Sequence, residues 1–98
     1  MSLPVIINPL AELDIAEARL WYESQREGLG DEFLDCLDES LELIRRMPEV
    51  HARVFQELRR TFIRRFPYGV FYRIDSDQIT VVAVYHGRRH PRGWQSRA

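Results

Sequence analysis

The sequence contains no lysine, a single cysteine and no apolar run long enough to cross a bilayer. Because Cys36 has no second cysteine to pair with, an internal disulfide is excluded, which suits a reducing compartment. The N-terminal residues MSLPVIINPL also lack the basic start and the small-residue cleavage site of a secretory signal. We therefore expect a cytoplasmic protein without membrane association.

Charge is distributed unevenly along the chain. The net charge is −1, but residues 1–44 contain eleven Asp and Glu against two Arg, whereas residues 45–98 contain twelve Arg against four Asp and Glu. All fourteen cations are arginine, which binds phosphate or carboxylate in a bidentate manner and stacks on aromatic rings. A lysine-free chain is also the composition expected from a GC-rich genome, so the bias alone assigns no function.

The length of 98 residues leaves little volume for an enclosed site. The chain is expected to form one domain, residues 1–98, that buries about 60–65% of its unfolded surface. A substrate-enclosing pocket would compete with the core for that volume. We therefore expect function to reside on an exposed face.

The first half of the chain predicts one strand and two helices. LPVIINP is a short β-branched run that ends at Asn8-Pro9, and these residues suit the cap and first position of a helix extending to about residue 27. The glycines of EGLGD suit its end, and a second helix follows and stops by Pro48. The two helices are expected to form an antiparallel hairpin.

Apolar spacing predicts which helix faces are buried. The predicted core stripe of the first helix consists of Leu10, Leu13, Leu20 and Trp21. The predicted core face of the second helix consists of Phe33, Leu37, Leu41 and Ile44, beside an acidic solvent face of Asp31, Asp35, Asp38 and Glu42.

The second half is rich in β-branched and aromatic residues and predicts three antiparallel strands. Turns are expected at residues 67–69 and 75–77. The residues predicted to point inward from the first of these strands are Leu58, Phe62 and Phe66. In the last strand Ile79, Val81, Ala83 and Tyr85 are predicted on one face, and Thr80, Val82, Val84 and His86 on the other. The predicted fold is α+β, in the order β-α-α-β-β-β, with an antiparallel twisted sheet of about four strands and the helical hairpin on one face.

Three segments carry a family resemblance: WYESQREGLGDEFL, LRRTFIRRFPYGVFYRI and VVAVYHGRRHPRGW. In this order and spacing, over about residues 5–97, the chain resembles the RelE/ParE toxins of bacterial type II toxin–antitoxin modules. The Phe-Pro-Tyr turn at 66–68 and the His-Gly-Arg-Arg segment at 86–89 resemble the ParE branch, which is associated with plasmid stabilisation. The resemblance implies a toxin that arrests growth and is neutralised by a cognate antitoxin, as a homodimer or a hetero-oligomer with it.

The resemblance leaves two targets open, because RelE-type members cleave mRNA on the ribosome and ParE-type members poison DNA gyrase. RNA cleavage needs a base, an acid and cations for the developing phosphate charge. The candidate residues for a metal-independent nuclease are Arg64, Arg73, Arg88 and Arg89 as cations, with His86 and His90 as titratable groups. The final segment, however, carries Trp94 rather than a tyrosine, and no lysine can replace the base.

Gyrase inhibition would use the same segment for binding alone. The predicted target-binding residues are His86, Arg88, Arg89 and Trp94. Trp94 either folds back on the sheet or anchors a partner. A third alternative is an inactive form that binds only its antitoxin. We expect no cofactor, and no metal because the spacing of His86 and His90 is not that of a metal site.

The antitoxin is expected to insert a segment between the helical hairpin and the sheet. An acidic segment would also neutralise the arginine-rich strand, and the predicted antitoxin-binding residues are Arg59, Arg60, Arg64 and Arg65. These arginines have a second interpretation, as edge charges that discourage pairing of strands between molecules.

Overall fold

The computed structural model describes residues 2–98 and contains one mixed sheet with two long helices on one face. Its elements are β1 (Val5–Ile7), α1 (Pro9–Gln25), α2 (Leu29–Arg46), β2 (Arg53–Phe55), β3 (Leu58–Phe62), β4 (Tyr68–Ile74), β5 (Ile79–His86) and α3 (Arg92–Gln95). The strand order is β1-β5-β4-β3-β2. The predicted α+β class and the helical hairpin are confirmed.

The prediction of about four antiparallel strands needs two corrections. The described residues form five strands, because the segment read as one strand after α2 bends at Gln56, whose φ of 51° lies in the left-handed region, and pairs with itself as β2 and β3. In addition, β1 runs parallel to β5, while the other neighbouring strands are antiparallel. Short-range patterns predict strands but not the partner that a terminal strand finds across the molecule.

The turn between α1 and α2 is held by one carboxylate. Glu23 accepts hydrogen bonds from the backbone N–H groups of Gly28 and Gly30, each at 2.9 Å. Gly28 has a φ of 87°, which favours glycine, and a Cβ on Gly30 would lie 2.8 Å from the Arg19 carbonyl oxygen. The first helix ends at Gln25 rather than at about residue 27, and the Asn8 side chain makes no capping hydrogen bond.

The buried face of α1 is not the predicted one. Its buried residues are Ala11, Asp14, Ala18 and Tyr22, whereas each member of the predicted stripe, Leu10, Leu13, Leu20 and Trp21, is more than half exposed. The two alanines let α1 lie close to β5, and the larger side chains project from the adjacent face. By contrast, the predicted core face of α2 is confirmed, with Phe33, Leu37 and Ile44 buried and Leu41 half-buried.

Two strand predictions were also wrong in detail. The register passes from Tyr72↔Val81 to Phe71↔Ala83, which leaves Val82 as an extra residue in β5. Because of this bulge, Val82 and Ala83 belong to the same apolar cluster, and the predicted alternation reverses beyond them. Phe62 was predicted to point inward, but it is 64% exposed.

Apolar clusters occupy both faces of the sheet. The larger cluster lies under the helices and includes Phe33, Tyr72 and Val84. The smaller cluster lies on the opposite side, which we call the open face, and consists of Leu58, Phe71, Val82, Ala83, Tyr85 and Trp94. Trp94 comes from α3 and stacks on Phe71 with ring centroids 4.1 Å apart, so α3 folds back over the sheet.

An ion pair closes the edge of β5 where its neighbour β1 has ended. Asp14 on α1 accepts a hydrogen bond from the Val84 N–H at 3.0 Å and binds Arg97 at 2.6 and 3.2 Å. Arg97 also donates to the Val82 carbonyl oxygen at 3.0 Å. Hydrogen bonding to Asp14 raises the pKa of Arg97. The pair therefore satisfies backbone groups that no strand reaches.

Substitution of Asp14 tests how much this pair contributes to stability. Because the side chains of Asp14 and Arg97 are only 6% and 16% exposed, Asp14→Ala should lower the free energy of unfolding by about 3 kcal/mol. Chemical denaturation measures the change. Glu57→Ala is the matched control, since it removes an exposed ion pair with Arg53 and should cost no more than about 0.5 kcal/mol. Equal losses in the two variants would contradict a dominant role for the buried pair.

Candidate functional site

The open face carries a cleft of about 120 Å³ where the ends of β3, β4 and β5 meet α3. Its polar lining comes from Arg60, Tyr85, His86 and Arg89, and its apolar lining includes Phe62, Phe71 and Trp94. A larger depression, of about 500 Å³, lies at Pro9, Leu10 and Ser96, but its one charged lining residue is Arg97, which Asp14 already binds. The smaller cleft is therefore the place where free polar groups converge.

Arg60 is held in the cleft by its neighbours on the sheet. Gly69 leaves room for its stem, since a Cβ there would lie 3.0 Å from the Arg60 Cδ. The Arg60 Cζ lies 4.6 Å from the centroid of the Phe62 ring and 6.0 Å from that of Phe71. Its Nε is buried and has no hydrogen-bond partner within residues 2–98. The described chain therefore supplies no acceptor for this donor, and the Arg60 side chain lines the cleft with its charge unpaired.

Tyr85 supports a second cation. The Arg89 Cζ lies 3.9 Å from the Tyr85 ring centroid, and its Nη2 donates to the Tyr85 Oη at 3.3 Å. Arg97 approaches the same hydroxyl at 3.4 Å. Gly93 makes this packing possible, because a Cβ there would lie 2.6 Å from the Tyr85 Cε2. The tyrosine thus fixes Arg89 at the cleft and connects it to the C-terminal residues.

The histidines near the cleft are oriented by the backbone. His86 Nδ1 accepts a hydrogen bond from the Arg88 N–H at 3.0 Å, and His90 Nδ1 accepts one from the Arg92 N–H at 3.1 Å. Each neutral ring therefore carries its proton on Nε2, which is a donor and not a proton acceptor. Tyr68 lies beside His86 with ring centroids 5.2 Å apart, and burial raises the pKa of its hydroxyl, which stays protonated.

The arginines divide into paired and free sets. Nine of the fourteen pair with a carboxylate. Arg59 instead donates to the carbonyl oxygens of Glu49 and His51. The remaining four form no ion pair in the described part of the chain: Arg60, Arg88, Arg89 and Arg92. Two of them line the cleft, and the other two lie on the loop and short helix that follow β5.

The structure brings some of the predicted target-binding residues together. His86, Arg89 and Trp94 line the cleft, and Arg88 is exposed on the loop beside it. Trp94 is only 7% exposed, so it covers the sheet. Arg73 lies near the other end of β4 and binds Asp75 at 3.1 Å, away from the cleft. The exposed His90 lies on the same loop as Arg88.

The four predicted antitoxin-binding arginines do not form one surface. Arg64 binds Glu39 at 2.9 Å and Arg65 binds Glu32 at 3.0 Å, so both fasten the turn before β4 to α2. Hydrogen bonds from Arg26 and then Arg65 lower the pKa of the Glu32 carboxyl group, and the hydrogen bond from Arg64 lowers the pKa of Glu39. Arg59 faces backbone carbonyls, and only Arg60 reaches the open face.

Sequence reasoning missed Phe62 and Tyr85 as site residues. Phe62 was assigned to the core because it is apolar, and Tyr85 because it alternates with core positions. The alternation of Leu58, Arg60 and Phe62 along β3 was the available signal, since residues two apart share a face of a strand.

Comparison with known families identifies the chain. The family model of the ParE toxin of type II toxin–antitoxin systems, parDE, matches residues 5–91, from β1 to the residue before α3. This chain belongs to the ParE toxin family. The predicted resemblance to the RelE/ParE group, on the ParE side, is therefore confirmed.

A solved structure supports the same fold for this ParE-family chain. The structure described as the chromosomal ParDE TA system from P. aeruginosa superposes with a TM-score of 0.64 at 13% sequence identity, covering 86% of this chain and 95% of that chain. At this identity the likeness concerns the fold alone. A search of curated proteins finds no significant match.

Residues 2–98 contain neither a metal-ligand cluster nor a membrane-spanning helix. No group of three or more His, Cys, Asp or Glu side chains in this range is placed to hold a metal ion. Among the helices of the same range, none has the length and apolar character needed to cross a membrane.

Substitution of Gly93 tests the packing of α3 that forms one wall of the cleft. Gly93→Ala should lower the free energy of unfolding by about 1–3 kcal/mol, because the new methyl group would collide with the Tyr85 ring that two arginines hold in place. Gly87→Ala is the control, since its Cβ would make an ordinary 3.6 Å contact with the Pro67 carbonyl oxygen. Denaturant unfolding measures both variants, and a Gly93 variant as stable as the Gly87 variant would contradict the close packing.

Proposed function

We propose that this ParE-family chain is a toxin that inhibits DNA gyrase in the cytoplasm by binding, without cleaving a bond. The observation that carries the proposal is the match to the ParE toxin model over residues 5–91. The resemblance of the 66–68 and 86–89 segments to the gyrase-directed branch points the same way. The cleft, with its free arginines, is the proposed contact with the gyrase–DNA assembly.

The chemistry of the cleft supports binding over catalysis. Arg60 and Arg89 can stabilise negative charge, but arginine stays protonated at any working pH and cannot serve as a base. The backbone N–H of Arg88 occupies His86 Nδ1, which leaves Nε2 protonated in the neutral ring. Tyr68 is also protonated because burial raises its pKa. Cleavage of mRNA would need one of these groups to accept a proton.

The first test is a pair of assays on one toxin sample: gyrase supercoiling with detection of cleavage complexes, and mRNA integrity in a translating extract. We expect stalled gyrase–DNA complexes and intact message. Arg60→Gln and Arg89→Gln should each raise the inhibitory concentration about tenfold, because each removes a charge-assisted contact. Arg46→Gln is the control, since Arg46 is an exposed arginine at the end of α2.

The opposite pair of assay results would contradict gyrase inhibition by binding. Cleaved message with unaffected gyrase would replace the proposal with a RelE-type nuclease, and His86→Gln would then abolish cleavage. The absence of both gyrase inhibition and message cleavage would indicate an inactive member that binds only its antitoxin.

The exposed stripe of α1 is a second surface with a proposed partner. Leu10, Leu13, Leu20 and Trp21 form an apolar stripe of the kind that marks protein interfaces. Beside Trp21 it meets a depression of about 370 Å³ that Tyr68 and His86 also line. The stripe is therefore apolar along the helix and continues, through His86, to the cationic cleft.

A segment of the cognate antitoxin is the proposed occupant of this stripe. An amphipathic helix with an acidic end would match an apolar surface that leads to free arginines. A second copy of the chain fits less well, because antiparallel pairing of two α1 helices would bring Glu17, in the middle of the stripe, against Glu17 of the other copy. The similar solved structure is itself described as a ParDE system, which agrees with an antitoxin partner.

Leu20→Ala combined with Trp21→Ala should raise the dissociation constant for the cognate antitoxin by about 30-fold or more, as expected for an aromatic anchor. Isothermal titration calorimetry measures this dissociation constant for the variant and the unmodified chain. Val50→Ala is the control, because Val50 is equally exposed but lies in the loop after α2. A loss seen only with Arg64→Ala plus Arg65→Ala would move the interface to the turn before β4. A free toxin dimer that the α1 variant dissociates would identify the stripe as a self-association surface.

A further inference from the structure

We propose that the cleft between Arg60, Arg89 and His86 binds a phosphodiester of a single-stranded nucleic-acid segment, with an adjacent base stacked on Phe62. This inference deepens the proposed function, on which it rests for its physiological setting, by naming a nucleic-acid strand as the part of the target that the toxin itself contacts. The binding event is defined by the cleft alone and does not require gyrase.

The donors at the cleft suit a phosphate group. The Arg60 guanidinium lines the cleft without a carboxylate partner, and Arg89 and the protonated Nε2 of His86 supply further donors from the end of β5 and the loop beyond it. Within the described chain, no carboxylate lines the cleft. Donors from three side chains can be satisfied by the oxygens of one phosphodiester and its sugar, whereas a carboxylate offers two oxygens.

The cations are held in position before any ligand arrives. The Arg60 guanidinium lies near the rings of both Phe62 and Phe71, and its stem crosses the space that Gly69 leaves open. Arg89 lies on the face of Tyr85. Because these side chains have already lost much of their rotational freedom, binding orders little more, which favours affinity.

Phe62 indicates that the ligand carries a flat ring. It is 64% exposed and lies at the mouth of the cleft, next to the Arg60 guanidinium. Stacking of bases on exposed aromatic rings, together with arginines along the phosphate backbone, is how proteins bind single strands. A base in a duplex is covered on both faces and cannot stack in this way. The free Arg88 and Arg92 extend the cationic path for neighbouring phosphates.

Fluorescence anisotropy tests the inference with the full chain, free of antitoxin, and a fluorescein-labelled oligothymidylate of twelve nucleotides as the probe. Arg60→Gln should raise the dissociation constant about tenfold and reduce the slope of log affinity against log salt concentration by about 0.7, the value for one lost phosphate contact on a single strand. Phe62→Leu should raise the dissociation constant about tenfold with no change in slope, because it removes only stacking.

Arg46→Gln serves as the matched control, with its arginine on the helical side of the molecule, and should match the unmodified chain. No binding at low salt, or equal weakening by the Arg46 and Arg60 variants, would overturn the inference. A glutamate dodecapeptide that binds as tightly as the oligonucleotide would assign the cleft to an acidic peptide instead. If duplex DNA binds as tightly as the oligothymidylate and Phe62→Leu has no effect, base stacking on Phe62 would be contradicted.

The outcomes separate this inference from the proposed function. Gyrase inhibition by a chain that does not bind the oligonucleotide would remove the nucleic-acid site and leave the toxin assignment intact. Oligonucleotide binding that depends on Arg60 and Phe62, in a chain without effect on gyrase, would support the site and overturn gyrase as the target.

Discussion

The buried ion pair between Asp14 and Arg97 joins parts of the molecule that are far apart in sequence: the first helix, the last residues of the chain and the edge of β5 that β1 leaves uncovered. Because β1 has only three residues, the backbone of β5 beyond Val81 would otherwise end in unpaired polar groups. The same arginine reaches the Tyr85 hydroxyl. One interaction therefore closes the sheet on one side and anchors the wall of the cleft on the other.

Internal neutralisation explains how a chain with net charge −1 can present a cationic surface. Beside its solvated acidic face, α2 carries two carboxylates with arginine partners, since Glu32 and Glu39 bind arginines of the turn before β4. The arginines of these ion pairs are already neutralised, although the sequence alone gives no indication that they have partners. What remains unpaired is concentrated around the open face, where rigid aromatic side chains support it. The distribution of partners, more than the number of arginines, defines the candidate site.

Prediction from the sequence succeeded where local rules and burial agree. The second helix has one apolar and one acidic face, and both were predicted correctly because only one arrangement buries Phe33, Leu37 and Ile44. Prediction failed for α1, where two apolar faces compete. Ala11 and Ala18 lie on the buried face because small residues allow close approach to β5, and the four large apolar side chains remain exposed to solvent. The bulge at Val82 was also beyond reach, since one extra residue leaves the apolar pattern of β5 intact while reversing its faces.

The sequence by itself determined the helical hairpin, the strand-rich second half and the family, because these depend on turn residues, periodicity and motifs that are local along the chain. Only the tertiary structure decided which arginines are free, that Trp94 covers the sheet, and that Arg60 and Phe62 line a cleft together with the ends of β4 and β5 and with α3. Each of these depends on a contact between residues distant in sequence. Charge and apolar character are properties of single residues, but the residue that contacts a given side chain is known only from the three-dimensional structure.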